Sequence, residues 1–205
     1  MRRLLVIGLA TLFFSGCMMD VTAPVEQAPP ERQVEAAALQ ADRLSEVPAY
    51  YGGYKPNPNV TDDRRLTRPG ERMHDSRGEM EVLKASGEQK RVVAGQGELT
   101  IRETKMLRYE PASGRFTGGE AFKFIKLFVE VRNTGEEPIQ FDPVSAIGTD
   151  TGETLHWEDD IYREELGGMI APGEVKAGNI GFILQETDAD VLTLRTGDSE
   201  FEIRF

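Results

Sequence analysis

The chain has 205 residues, with 24 Lys and Arg against 35 Asp and Glu, for a formal net charge of -11. That balance argues against nucleic acid as a partner and against a basic patch adhering to anionic lipid. One cysteine and two histidines leave no disulfide framework and little material for a metal or nucleophilic site, so folding must rest on a hydrophobic core.

At the N-terminus Arg2 and Arg3 precede an apolar run, Leu4 to Phe14, broken only by Gly8 and Thr11. At about eleven residues it is short of the roughly 20 that a spanning helix needs, and its layout is that of an export signal. Small residues, Ser15 and Gly16, then lead into the sole cysteine, Cys17. The stretch resembles the lipobox of bacterial lipoproteins, although Phe14 stands where leucine is usual. The resemblance implies a signal peptide over 1–16 and a Cys17 that carries the lipid (diacylglycerol with palmitate-type chains) as the first mature residue. Cleavage there would remove Arg2 and Arg3 and take the formal charge from -11 to -13. Each buried methylene of such an anchor contributes about 0.8 kcal/mol, and two or three chains hold far better than one. The expected location is outside the cytoplasm, lipid-anchored to a membrane. Met18 after the cysteine favours the outer membrane, facing the periplasm, if the cell has two.

Residues 17–90 are poor in branched aliphatics and rich in proline, charge and small side chains. APVEQAPPERQ reads as an extended linker, and Pro30 could open a short helix through Leu44 with Val34, Ala38 and Ala41 along one side. A flexible tether of roughly 70 residues would span about 45 to 50 Å on average. Within it Tyr50, Tyr51 and Tyr54 are candidate partner contacts, since aromatic rings on a glycine-proline segment can stack on sugars or enter a groove. Arg64, Arg65, Arg68, Arg72 and Arg77 follow, either solvated or folded back against the acidic remainder.

From Arg91 the pattern becomes short strands and turns. GELTIRE alternates through Leu99 and Ile101. Phe122 to Asn133 is the strongest strand, with Ile125, Leu127, Val129 and Val131 on one face and Phe122, Phe124 and Phe128 on the other. Two apolar faces over its first half predict a central strand covered on both sides there. Further strands are expected from Ile139, over Val144 to Thr149 and Glu153 to Trp157 about an Asp150-Thr151-Gly152 turn, over Val175 to Leu184 after Pro172-Gly173, and over Val191 to Thr196 and Glu200 to Phe205. The residues Glu158 to Ile170 read as a long loop. Seven or eight strands in roughly 115 residues indicate an all-β, Ig-like antiparallel sandwich, with a closed barrel as the alternative. The domain is thus expected over 91–205.

LFVEVRNTGEEPIQFDPVSAIGTDTGETL and MIAPGEVKAGNIGFIL resemble the secreted Ig-like domains that include the mycobacterial telokin-like immunoprotective antigen. The matching residues are Val131, Asn133, Gly135, Pro138, Phe141, Asp150, Gly152, Pro172, Gly173, Glu174, Gly178 and Phe182. The resemblance implies an envelope or extracellular domain without an assigned role. The chemistry of these positions is structural: Asn133 bonds its own turn, Gly135 supplies a positive φ, and Gly152 and Gly173 serve turns.

No catalytic residue, metal site or cofactor is assigned. His156 with Glu158, Asp159 and Asp160 could present ligands to a cation, and a metal-dependent enzyme centred there is the alternative function. The spacing lacks the separated oxygen ligands and tight turns of known cages. His74 with Met73 and Met80 is too irregular for a soft-metal site. The main expectation is a non-catalytic binding or assembly module whose partner is an envelope protein or polymer. A passive spacer is the remaining class. Trp157, Ile161, Tyr162, Leu166 and Met169 are the first candidate contacts, as apolar residues gathered among charges.

Overall fold

The computed structural model describes residues 44–112, 120–140, 144, 146–157, 166, 168–185, 188–196 and 199–205. Cys17, the helix expected before Leu44, and Ile161 and Tyr162 lie outside them. Two runs expected as strands from Arg91 onward form long partners: β4 (Gly97–Pro111) and β5 (Phe122–Asn133). With β1 (Arg72–Asp75), β2 (Gly78–Ser86), β3 (Lys90–Ala94) and β10 (Val175–Leu184) they make a six-stranded antiparallel sheet. Its order is β1-β2-β4-β5-β10, with β3 also paired to β4. The first part of β4 pairs with β3 and its second part with β2, so both strands lie along the same side of β4.

A second sheet takes β7 (Ala146–Thr149), β8 (Thr154–His156), β11 (Val191–Thr196) and β12 (Ser199–Arg204) in the order β12-β11-β7-β8. β6 (Ile139–Gln140) and β9 (Met169–Ile170) form a two-stranded ribbon, so a piece of strand occupies the end of the expected long loop. Leu99, Ile101, Ile125, Leu127, Val129, Ile180 and Phe182 of the large sheet pack with Ile147, Leu192, Leu194 and Ile203 of the small one in a single core. Two antiparallel sheets closed over a shared apolar interior are a β-sandwich.

The large sheet has a second, outer core. There Val60 and Leu66 pack with Met80, Val82, Leu107, Tyr109, Phe122 and Phe124. The two-faced pattern of β5 is thereby accounted for, but its cover comes from residues expected in the tether. The boundary at 91 is corrected: residues 44–90 supply an overlying strap, 44–71, and strands β1 and β2. Proline and glycine made this stretch look like a linker, yet Tyr51, Val60 and Leu66 are buried. Apolar residues spaced too widely for a strand or helix period still bury well when the chain lies irregularly over a sheet.

One extra residue makes that outer core workable. The β4–β5 register slips between Ile101 and Glu103, a β-bulge at Arg102. Before it Leu99 and Ile101 face the inner core. After it Met106 takes the inner side, and Glu103, Lys105, Leu107 and Tyr109 turn outward. The C-terminal turns behave as their residues demand, with Gly152 at φ 91° and Gly173 at φ 73°. Gly135 differs from expectation. It has no positive φ, and a Cβ there would come within 1.9 Å of the Gln96 side-chain oxygen, so the glycine lets that exposed side chain lie against the turn. Asn133 does bond its turn, accepting from the Gly135 N–H at 2.8 Å and donating to the Glu137 carbonyl at 2.7 Å.

Candidate functional site

Lys105 and Lys126 sit directly opposite each other on β4 and β5, and both are buried. Two like charges in that position repel, and each ammonium loses its hydration. The compensation comes from Asp63 of the strap and from Glu103. Lys126 Nζ donates to Asp63 Oδ2 at 2.6 Å, and Lys105 Nζ donates to the same oxygen at 3.1 Å and to the Asp63 carbonyl at 3.0 Å. Lys105 also lies 2.7 Å from Glu103 Oε1. Two tyrosines of the strap complete the cluster: Tyr50 donates to Glu103 Oε2 at 2.6 Å and Tyr51 to Glu103 Oε1 at 2.7 Å. The Tyr51 hydroxyl accepts from Lys126 at 2.8 Å. Two cations meet two anions, and every ammonium and carboxylate has a partner inside the protein.

The electrostatics follow from this packing. Burial alone would raise the Asp63 carboxyl, but the Lys126 and Lys105 ammonium groups outweigh it and hold the carboxyl down at about 2. Lys105 is pulled down by burial and carried above its ordinary value by Asp63 and Glu103. Lys126, in the interior and beside Lys105, is pushed below its ordinary value by burial first, against the pull of Asp63. Burial and the neighbouring carboxylates raise both Tyr50 and Tyr51, which remain donors.

Tyr50, Tyr51 and Tyr54 are therefore not a free stacking platform. Their rings gather on Phe128, Tyr51 at 4.2 Å and Tyr54 edge-on at 5.3 Å, and the Tyr54 hydroxyl accepts from Asn179 at 2.6 Å. The arginines expected in the linker pair locally: Arg64 with Asp62, Arg68 with Glu71, Arg72 with Glu81 and Arg77 with Asp75. In the other candidate region Leu166 is buried, Trp157 is half-buried against the inner core, and Met169 is exposed. Met169 is the most exposed of the three, Trp157 keeps partial exposure, and Leu166 has none to offer a partner. His156 is exposed at the end of β8, while Glu158, Asp159 and Asp160 lie outside the described residues.

The buried cluster went unread in the sequence, although one signal for it was present. Lys126 stands between Phe124 and Phe128 on a face already judged to be covered, and a lysine in such a place requires an acidic partner from whatever covers it. Asp63 could not be paired with it by spacing alone, being 63 residues away.

Beside the cluster the surface opens. A groove of about 400 Å³ is lined by Tyr50, Ser86, Arg102, Glu103 and Lys105, among others. A second groove, about 600 Å³, lies over the part of the outer face that the strap leaves uncovered, lined by Arg91, Thr100, Arg102, Arg132 and Thr134 among others. Arg102, the bulge residue, borders both.

These features define an antiparallel β-sandwich with a strap fastened over one sheet by a closed, buried ion network. The chain belongs to the family of YdhF, an uncharacterized protein of Bacillus subtilis, sharing 33% identity over 190 residues, 90% of this chain and 79% of that protein. No family model matches it. Among solved structures, a functionally unknown protein from Listeria monocytogenes aligns at TM-score 0.48 with 12% identity, over 62% of this chain and 85% of its own. The secreted protein MPT63 of Mycobacterium tuberculosis aligns at 0.40 with 14% identity, over 59% and 95%. At these values the structural likenesses carry no functional argument.

Proposed function

We propose that the protein is an exported lipoprotein, anchored through Cys17, whose Ig-like sandwich is a non-catalytic binding module acting close to its membrane. The observation that carries the module reading is the closure of the buried cluster. Its two lysines, two carboxylates and two tyrosines saturate one another, so the groups that most resemble reactive machinery hold the strap in place. The placement at a membrane rests on the Arg2-Arg3, Leu4 to Phe14 and Cys17 signal. Among the described residues no helix is long and apolar enough to cross a membrane. The strap shortens the reach of the head. Leu44 is the first described residue, and the 26 residues between it and Cys17 (18–43) reach about 90 Å at full extension. An envelope protein or polymer within that distance is the expected partner.

Membrane fractionation and in-cell crosslinking of wild type and Cys17→Ser test this. Wild type should fractionate with membranes and capture a discrete partner, and Cys17→Ser should be released and lose it. Equal release of both forms contradicts the anchor, and capture of abundant neighbours alone contradicts the module.

A further inference from the structure

We propose that the uncovered half of the outer sheet face binds a linear, phosphodiester-linked polyol chain. The proposal deepens the binding-module reading by assigning its surface and ligand class. The strap covers the sheet only as far as Phe128 and Glu103. Beyond them the registered rows Arg91–Thr100–Glu130–Ala177 and Val93–Glu98–Arg132–Val175 cross four strands without a cover among the described residues. This is the floor of the 600 Å³ groove.

Its charge runs against that of the chain. Lys90, Arg91, Arg102 and Arg132 line it, and Glu88, Glu98 and Glu130 pair with the first three, so four cations meet three carboxylates in a protein of formal charge -11. The three guanidiniums come from three adjacent strands, a spacing of about 4.8 Å per strand, so they form a track across the sheet. Arg102 is oriented by two neighbours, donating to Gln89 Oε1 at 3.3 Å and to Glu130 Oε2 at 2.7 Å. Its Nε has no acceptor among the described residues. Arg91 is held by Glu98. Arg132 is exposed and has no hydrogen-bond or ion partner among the described residues, which leaves its fork for an incoming anion.

Guanidinium forks match phosphate oxygens in a bidentate manner. The other polar groups of the groove, Thr100, Thr134 and Gln89, suit hydroxyls along a polyol. None of the lining residues is aromatic, so nucleobases would find no ring to stack on, and single-stranded nucleic acid is the weaker fit. A concave track suits a chain better than the flat surface of a bilayer.

The test uses the full-length protein in neutral detergent micelles and a labelled glycerol-phosphate oligomer of about six units. Saturable binding is expected, weakening steeply between about 50 and 300 mM salt as screening grows. Arg132→Gln, an exposed substitution, should lower affinity at least fivefold, and Arg91→Gln with Arg132→Gln should abolish it, with the unfolding midpoint unchanged. No binding at millimolar oligomer, or equal binding by the double variant, overturns the proposal. So does equal or tighter binding of a polyglutamate of matched charge, of an oligothymidylate, or of phosphatidylglycerol vesicles. Membrane fractionation of Cys17→Ser is independent of these arms, so failure of the groove and failure of the lipoprotein reading give different results.

Discussion

The two faces of the large sheet are stabilised in different ways. The inner face is mainly apolar, with Ile125, Leu127, Val129 and Phe182 buried against the second sheet, and most of its energy is area removed from water. The outer face, under the strap, mixes Phe124 and Leu107 with Lys105, Lys126, Glu103 and Asp63, all buried. The inner face tolerates any partner of suitable shape. The outer one accepts only a strap that brings the Asp63 carboxylate to Lys105 and Lys126 and the Tyr50 and Tyr51 hydroxyls to Glu103. Buried ion pairs are weak sources of net stability and strong penalties against misplacement. The difference suggests that the apolar face supplies most of the stability and the polar one fixes where the strap lies.

The largest test of this contrast is removal of the strap. A chain beginning at Arg91 lacks β1, β2 and the strap, exposes Phe122, Phe124, Leu107 and both lysines, and should show no cooperative unfolding transition by calorimetry. A soluble, cooperatively folded product would place the whole of 44–90 outside the domain.

Single substitutions come next. Phe182→Ala on the inner face should cost about 3 to 5 kcal/mol in urea titration, as cavities of that size do. Asp63→Ala should cost about as much, because it takes from Lys126 its closest carboxylate and leaves Lys105 only Glu103, rather than emptying a cavity. The two are distinguished by repair: adding Lys126→Met to Asp63→Ala should recover stability, since one stranded charge is removed. No recovery would mean that Asp63 acts through something other than its lysines. Tyr51→Phe removes one hydroxyl that donates to Glu103 and accepts from Lys126, with an expected loss of about 1 to 3 kcal/mol.

Acid should find the outer face first. The Asp63 carboxyl titrates at about 2 in the folded protein, below the value of about 3.9 in an unfolded chain. As pH falls the unfolded state takes the proton first. The stability from this group is therefore complete above about pH 5 and is lost progressively toward about pH 2. The thermal midpoint of wild type should drop across that window, and Asp63→Asn should begin lower and flatten the drop. The smallest effect belongs to the exposed side: Val93→Thr, 58% exposed, should stay within about 0.5 kcal/mol of wild type.

Much of the sandwich was legible because alternation is a local signal. Phe122 to Asn133, Val175 to Leu184 and Val191 to Thr196 announce their own strands, and the two apolar faces of β5 announce that something lies on each. What lies on the outer face was not legible. Tyr51, Val60 and Leu66 bury as isolated residues along an irregular strap, with only a single 3-10 turn at Ala49–Tyr51, so no period marks them. The bulge at Arg102 was equally silent. One added residue reverses which side chains point outward, and without it Glu103 and Lys105 would be assigned to the inner core. The ion cluster needs both facts at once, together with contacts spanning 42 and 63 residues, so it emerges only in three dimensions. Trp157 and Leu166 looked like interface residues because they stand among charges, yet both are drawn inward.

The central claim is that strap and sandwich form one cooperative unit, and native-state hydrogen exchange tests it most directly. The amide of Leu66 donates to the Asp63 carbonyl at 2.9 Å and that of Tyr51 to the Pro48 carbonyl at 3.0 Å, both within the strap. If the account holds, these amides exchange only through global unfolding, with the same free energy as Val129 and Phe182 in the core. Exchange of Tyr51 and Leu66 within minutes, while Val129 and Phe182 stay protected, would show a strap that lifts on its own and would contradict it.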